Sequence, residues 1–305
     1  MAIFRCRGNV CKSAALVAAA FGLLLLGLNI WGQFMTLRPE ALKRDWPNSL
    51  AATMRSYPNA VQGLREIEGL SLPDYVRQVN TIVHETLVHL RPQQIAGAGY
   101  SDDALVGALN LRVPIWENYL LYALSFIKPD TYRRYEFCSA QKALERGVGE
   151  CGQQSLTVVD ILHNRGIEAG FIDWSAHHVV AVARVAPSEW HILDPDYNVT
   201  FPYWFDTDPA TMPKEFDGLA EALLRSQPDR TVIRHPDGTR DMPPDELYKS
   251  TGQTVSFGGP NARWGRACPI ERVAYILKWL LPAILILPLL FWAFVVGNRR
   301  AGGTS

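Results

Sequence analysis

Two long apolar stretches bracket this chain, and they constrain its fold before any other feature does. Residues 13–37 carry no charged side chain, and their centre, "LVAAAFGLLLLGLNIW", is long enough to cross a hydrocarbon layer of about 30 Å as a helix. Residues 279–296, "WLLPAILILPLLFWAFVV", repeat the pattern, and Lys278 is placed to extend that span by snorkelling to the interface. Pro282 and Pro288 would break a helix in water, whereas a membrane helix tolerates them when neighbouring groups satisfy the carbonyls they free. Transmembrane helices are therefore expected over 13–37 and 273–297, with short cytoplasmic ends at 1–12 and 298–305.

A basic stretch with Arg5, Arg7 and Lys12 precedes the first span, as it would in a signal peptide. The apolar run is longer than such a leader needs, and "NIWGQFMTLRPE" offers no small-x-small cleavage site, so the span is read as a retained anchor. Those three residues, with Arg299 and Arg300 after the second span, place both ends in the cytoplasm. The region between then faces out from an inner or plasma membrane. Arg263, Arg266, Arg272 and Lys278, on the outer flank of the second span, pull against that orientation. The formal net charge is +0 and the basic residues form no stripe, which argues against a nucleic-acid partner. Of five cysteines, Cys6 and Cys11 fall on the inner side and Cys138, Cys151 and Cys268 on the outer. Three thiols in an oxidising compartment permit one disulfide, such as Cys138 with Cys268, and one leftover; three reduced thiols are equally compatible.

Residues 38–134 read as a helical region. "LPDYVRQVNTIVHETLVHL", residues 72–90, sets Tyr75, Val79, Ile82, Val83 and Leu87 at helical spacing. Its "HETLVH" looks like a zinc motif, but His84 and His89 are five apart and so about 140° apart around a helix, which leaves them ordinary helix histidines. "SDDALVGALNL" has Ser101 as its cap, "PIWENYLLYALSFI" has Pro114 near its start, and "YRRYEFCSAQKALERG" reads as a third helix ending at Gly147.

The pattern changes at Gly147. Leu156, Val159, Ile161 and Leu162 form a stripe on a helix from Cys151 to about Asn164, closed by Gly166. Strand-like "IEAGFIDW", "HHVVAVARV" and "EWHILDPDY" follow, with "APSE" as a turn. The expected class is α+β, a helix packed on an antiparallel sheet over 135–240, then a linker over 241–272.

A lone cysteine is usually a small buried hydrophobe. Here Cys151 opens a helix, His178 opens one strand, and Asp194 ends the next. A helix N-terminus favours a thiolate, an imidazole takes and returns its proton, and a carboxylate orients the ring. His177 competes with His178, and strand alternation, which groups 178, 180 and 182 on one face, favours His178.

These segments, "GVGECGQQSLTVVDILHNRGIEAGFI", "HVVAVARV" and "WHILDPDYN", resemble the core of the transglutaminase-like superfamily, a papain-like arrangement of cysteine, histidine and aspartate. The likeness covers residues 140–200. Cys151, His178 and Asp194 match the family's nucleophile, base and orienting acid, and the "L-D-P" match selects Asp194 over Asp196. Two features depart from the family: the Cys151-to-His178 interval is compact, and Val180 stands where an aromatic is common. The resemblance implies amide or acyl chemistry on a protein or peptide through a cysteine thioester, with no metal or organic cofactor. The Cys151 backbone N–H would be one oxyanion donor and Gln141 a second, and Trp174 would wall the acyl site. Hydrolysis is favoured over transfer, because water is the default acceptor in a wet cleft. The rival is a non-catalytic module of an envelope or export assembly built on the same fold. A transporter reading lacks support, since neither span carries an ionisable residue at mid-depth.

Overall fold

The structure, a computed structural model, describes residues 8–40, 54–89, 102–174, 178–204, 253–257 and 259–301. Its helices are α1 (Gly8–Gly32), α2 (Tyr57–Glu66), α3 (Leu72–Thr86), α4 (Asp102–Ala108), α5 (Tyr119–Ile127), α6 (Pro129–Tyr132), α7 (Ala140–Arg146), α8 (Cys151–Asn164), α9 (Asn261–Trp264) and α10 (Ala267–Ala301). The strands are β1 (Val88–His89), β2 (Val148–Gly149), β3 (Ala169–Trp174), β4 (His178–Ala186), β5 (Glu189–Asp194), β6 (Val199–Trp204) and β7 (Gln253–Phe257). The last five form one antiparallel sheet in the order β6-β5-β4-β3-β7.

The mixed helix-and-sheet class and the antiparallel strands agree with the sequence pattern. Leu156, Val159 and Leu162 of α8 are fully buried in one cluster with Phe171 of β3 and Val179, Ala181 and Ala183 of β4. Each of the leucine, valine and phenylalanine side chains stabilises the fold by about 1.5–3 kcal/mol when removed from water. Small alanines at 181 and 183 let the helix lie close to the sheet. Tyr75, Val76, Val79 and Val83 of α3 join the same cluster, so the preceding helices and the sheet share one core. Gly166, in the left-handed region at φ +73°, ends α8 by donating to the His163 carbonyl, and the chain turns into β3.

Several element boundaries differ from the expected ones. Helix α3 ends at Thr86, because Leu87 is extended and Val88 and His89 pair in parallel with Val148 and Gly149. His89 is therefore a strand residue. Pro114 does not start a helix; it begins a turn whose carbonyl accepts from Glu117 and Asn118, and α5 starts later with the Asn118 side chain capping Leu120 and Leu121. The third expected helix, residues 132–147, is helical beyond Tyr132 only over α7, since the backbone ahead of α7 donates to side chains instead of to itself. Phe137 N donates to Gln153, Cys138 N and Ser139 N to Glu271, and Ala140 N to Asp160. Strand β6 follows a turn at Asn198, φ +53°, and β7 comes from the stretch read as a linker and pairs with β3 from Gly170 to Trp174. Ser101 and the first part of that stretch, 241–252, lie outside the described residues.

Two helices, over Ser13–Gly32 and Ala267–Phe291, are long and apolar enough to cross a membrane. Their outer faces stay uncovered: Val17, Leu24 and Phe291 are 70%, 67% and 72% exposed, which a helix buried in a soluble core would not be. They pack on each other where α1 has Gly22; a side chain there would come within 2.9 Å of Leu285 Cβ and the Pro282 carbonyl. Helix α10 has 35 residues, about 50 Å of length, more than a hydrocarbon layer of about 30 Å needs, and it starts at Ala267. There Cys268 is disulfide-bonded to Cys138, with Cα atoms 5.4 Å apart.

Lys278 does not snorkel. It is buried, and its Nζ donates to the Glu117 carbonyl at 2.7 Å. Pro282 has no N–H for the Lys278 carbonyl four residues back, and that oxygen instead accepts from Asn29 Nδ2 of α1 at 2.5 Å and from the Tyr119 hydroxyl at 3.0 Å. Asn29→Leu should therefore destabilise the helix pair by about 1–2 kcal/mol, read by thermal denaturation of the detergent-solubilised chain. In a Pro282→Ala background, where an N–H returns, the same substitution should cost less. Equal penalties in the two backgrounds would refute the assignment.

Candidate active site

The site forms where α8 begins beside the ends of β4 and β5. Backbone geometry brings the three residues together. Ala181 pairs with Leu193 across β4 and β5, so one further step sets position 180 opposite Asp194 and makes His178 its diagonal neighbour. Ser155 of α8 donates from Oγ to the Val179 carbonyl at 2.8 Å, which fixes the helix against β4 one residue past His178. Cys151, His178 and Asp194 are thereby brought to one place.

His178 is 1% exposed, and its Nε2 lies 2.8 Å from Asp194 Oδ2. Its Nδ1 is 3.6 Å from Asp196 Oδ2. The Cys151 sulfur, a ring nitrogen of His178 and an Asp196 oxygen lie within 4.8 Å of one another. Burial alone would lower the His178 pKa. The opposing charge and hydrogen bond of Asp194, the Cys151 thiol and the charge of Asp196 together hold it well above its ordinary value. Asp194 uses both oxygens: Oδ2 meets His178, and Oδ1 accepts from the backbone of Asp196 at 3.0 Å and Tyr197 at 3.4 Å. The arrangement is that of a thiol, an imidazole that can exchange its proton, and a carboxylate that sets the ring tautomer.

The acidic turn that carries Asp194 is held from outside the sheet. Asn80 of α3 donates to the carbonyls of Asp194 and Val199, at 3.3 and 3.2 Å. His84 Nδ1 lies 2.7 Å from the Pro195 carbonyl, and His89 Nδ1 is 2.8 Å from Asp196 Oδ2. His84 and His89, ordinary helix histidines by their spacing, thus both face this turn. Sequence spacing missed them because it assumed one continuous helix. Asn80, a polar residue among the buried apolar positions of α3, was the signal available.

Arg263 of α9 forms an ion pair with Asp173 of β3. Burial lowers its pKa, and the charges of Glu136 and Cys151 oppose that shift. Glu136 presses against the first turn of α8, where a side chain at Gly152 would meet its carboxylate at 2.5 Å. Neither residue stood out as a site residue in the sequence. Gln141 is exposed on α7 and lines a cavity of about 460 Å³ with Lys142, Arg272 and Tyr275, a lining that includes none of the triad residues. Trp174 ends β3 opposite His178, and its side chain lies outside the described residues. His177 lies outside them as well. No protein-family model, curated protein or solved structure matches the chain.

Because the folded pKa of His178 is raised, its pairing with Asp194 contributes stability in full below the unfolded imidazole value of about 6.5, and loses it as pH rises through the folded value. Asp194→Asn should cost about 3–5 kcal/mol near pH 6 and progressively less at alkaline pH, measured by denaturant unfolding across a pH series. A penalty that grows with pH would contradict the pairing.

Proposed function

We propose that this protein is a membrane-anchored thiol enzyme with a transglutaminase-like core, acting on amide or acyl groups of a protein or peptide substrate. The observation that carries the reading is the orientation of His178, with Nε2 on Asp194 and Nδ1 toward Asp196 and the thiol's side of the ring. In the first half of the reaction, the Cys151 thiol passes its proton to His178 and the sulfur attacks the substrate carbonyl. The carbonyl oxygen takes up negative charge near the N–H groups that open α8, the Cys151 backbone among them. The imidazolium then returns the proton to the leaving amine as the carbon–nitrogen bond breaks, which leaves an acyl thioester. In the second half, His178 takes a proton from water, the hydroxide attacks the thioester, and the proton goes back to sulfur as the acid is released. An amine in place of water would give transfer. Partial exposure of Cys151 favours water, because solvent reaches the thioester.

The soluble part belongs, on this reading, on the outer side of an inner or plasma membrane. The Cys138–Cys268 disulfide supports an oxidising compartment, as do the basic residues at the chain's ends. The opposing charges Arg263 and Lys278 are engaged within the domain, by Asp173 and the Glu117 carbonyl.

The chemistry is tested with a p-nitrophenyl ester on the full chain in detergent. One equivalent of p-nitrophenol should appear in a burst, with the acyl group found on Cys151 by peptide mapping. His178→Ala should slow turnover by about 10²–10⁴-fold. A folded chain that never acylates Cys151 would leave a non-catalytic module as the better description. For topology, a reporter active only in the cytoplasm should fail when inserted after Gly238 and work when fused after Ser305; the reverse pattern would invert the orientation.

A further inference from the structure

We propose that Cys151, His178 and Asp196 form a binding site for a thiophilic divalent cation of the zinc type, which caps the sulfur and silences the enzyme. The silencing rests on the thiol chemistry proposed above, whereas the binding stands on the geometry alone.

Three different donor types converge here: a sulfur, an imidazole nitrogen and a carboxylate oxygen, all within 4.8 Å of one another. Nε2 of His178 is committed to Asp194, so Nδ1 is the nitrogen that faces the cluster, 3.6 Å from Asp196 Oδ2. Tetrahedral zinc, with bonds of about 2.0–2.3 Å, sets its ligand atoms about 3.3–3.7 Å apart. The nitrogen and oxygen already stand at that spacing, and the sulfur reaches it with a shift of about 1 Å. The surroundings are those a metal-binding imidazole needs, because a carboxylate on the far nitrogen fixes the ring and raises its basicity, and Asp194 is that carboxylate. His89 Nδ1, 2.8 Å from Asp196 Oδ2, steadies the other ligand. Both Asp196 and His178 are buried, while Cys151 is part-exposed, which leaves the entry path and the fourth ligand position on the sulfur's side.

Thiolate and imidazole select zinc over magnesium or calcium. One thiolate and one carboxylate balance the dication. On binding, the metal replaces the proton on sulfur and the proton on Nδ1 of the charged imidazole, both protons leave to solvent, Nε2 keeps its own toward Asp194, and no electron changes hands. With sulfur and Nδ1 both occupied, neither attack nor proton transfer can begin. The two acids flanking Pro195 thus take separate tasks, Asp194 orienting the ring for either state and Asp196 holding the cation.

The test uses the full chain in detergent with Cys6→Ser and Cys11→Ser, so that Cys151 is the free thiol outside the disulfide. Cobalt(II) serves as the spectroscopic probe. It should give a near-ultraviolet thiolate charge-transfer band that zinc displaces, that magnesium does not, and that Cys151→Ala removes. Asp196→Asn, which keeps the side-chain shape, should weaken cobalt and zinc binding at least about tenfold, and His89→Ala should weaken them in the same direction. Zinc should block iodoacetamide labelling of Cys151, and a chelator should restore it. Absence of the band, or a band of unchanged affinity in Asp196→Asn and His178→Ala, would overturn the site. Binding without ester acylation would uphold the site while removing the catalytic reading, and acylation without binding would do the opposite.

Discussion

The rest of the molecule depends on how the backbone from Phe137 to Ala140 satisfies its four donors. These N–H groups are turned into the protein, where an unpaired donor costs about 1–3 kcal/mol, and each finds a side chain: Gln153, Glu271 twice, and Asp160. Gln153 and Asp160 belong to α8, and Glu271 to α10. One short segment therefore clamps the helix that carries the thiol to the helix that enters the apolar layer. Gln153 also donates back to the Phe137 carbonyl at 2.9 Å and accepts from Arg146, whose guanidinium is buried over the Phe137 ring. Burial lowers the Arg146 pKa to about 10, against the charges of Glu136 and Glu271, and its remaining donors go to the carbonyls of Tyr135 and Val148. The Cys138–Cys268 disulfide then makes the same connection covalent. Closing a loop between residues 130 apart restricts the unfolded chain by about 5 kcal/mol on the chain-entropy view.

The site is assembled on the same plan, with buried charge placed where other groups already hold it. Two carboxylates, Asp194 and Asp196, sit almost without solvent on one turn, a placement that would be untenable without partners. His178 stands between them, and Asn80, His84 and His89 approach the turn from α3 and β1. Charge on the imidazole and charge on the acids support one another, which is why the His178 pKa rises although burial opposes it. The helices before the core are thus part of the site's scaffold, since α3 and β1 hold the turn that carries Asp194 and Asp196.

What the sequence made legible was local. Cys151 at a helix start, Gly166 as its left-handed stop, and the three strands that follow were readable because periodicity and capping act over a few residues. The order of Cys151, His178 and Asp194 was readable for the same reason, each being marked by the element it begins or ends. What escaped was decided by distant partners. The non-helical stretch ahead of α7 is imposed by Gln153, Glu271 and Asp160, and no propensity at residues 133–139 announces it. The strand character of His89 depends on Val148 and Gly149, far along the chain, and β7 exists because β3 has an edge to fill. Gln141, expected as a second oxyanion donor, is turned by α7 toward α10 and a different cavity.

The junction with the apolar helices follows the same rule from the other side. In α10, Pro282 removes the donor that the Lys278 carbonyl would have used, and in an apolar layer that oxygen has no water to fall back on. Asn29 of α1 and Tyr119 of α5 supply it, one from the neighbouring apolar helix and one from the soluble part, while Lys278 Nζ reaches the Glu117 carbonyl. Glu117 in turn accepts from Tyr275 at 2.6 Å and lies 3.0 Å from Lys142 on α7, two residues into the helix that the Phe137–Ala140 clamp opens. A continuous run of paired polar groups therefore leads from the proline in α10 to α7 and on to α8. Because each member answers a donor or acceptor that burial would otherwise strand, the thiol at the head of α8 is held at a set position relative to the two apolar helices.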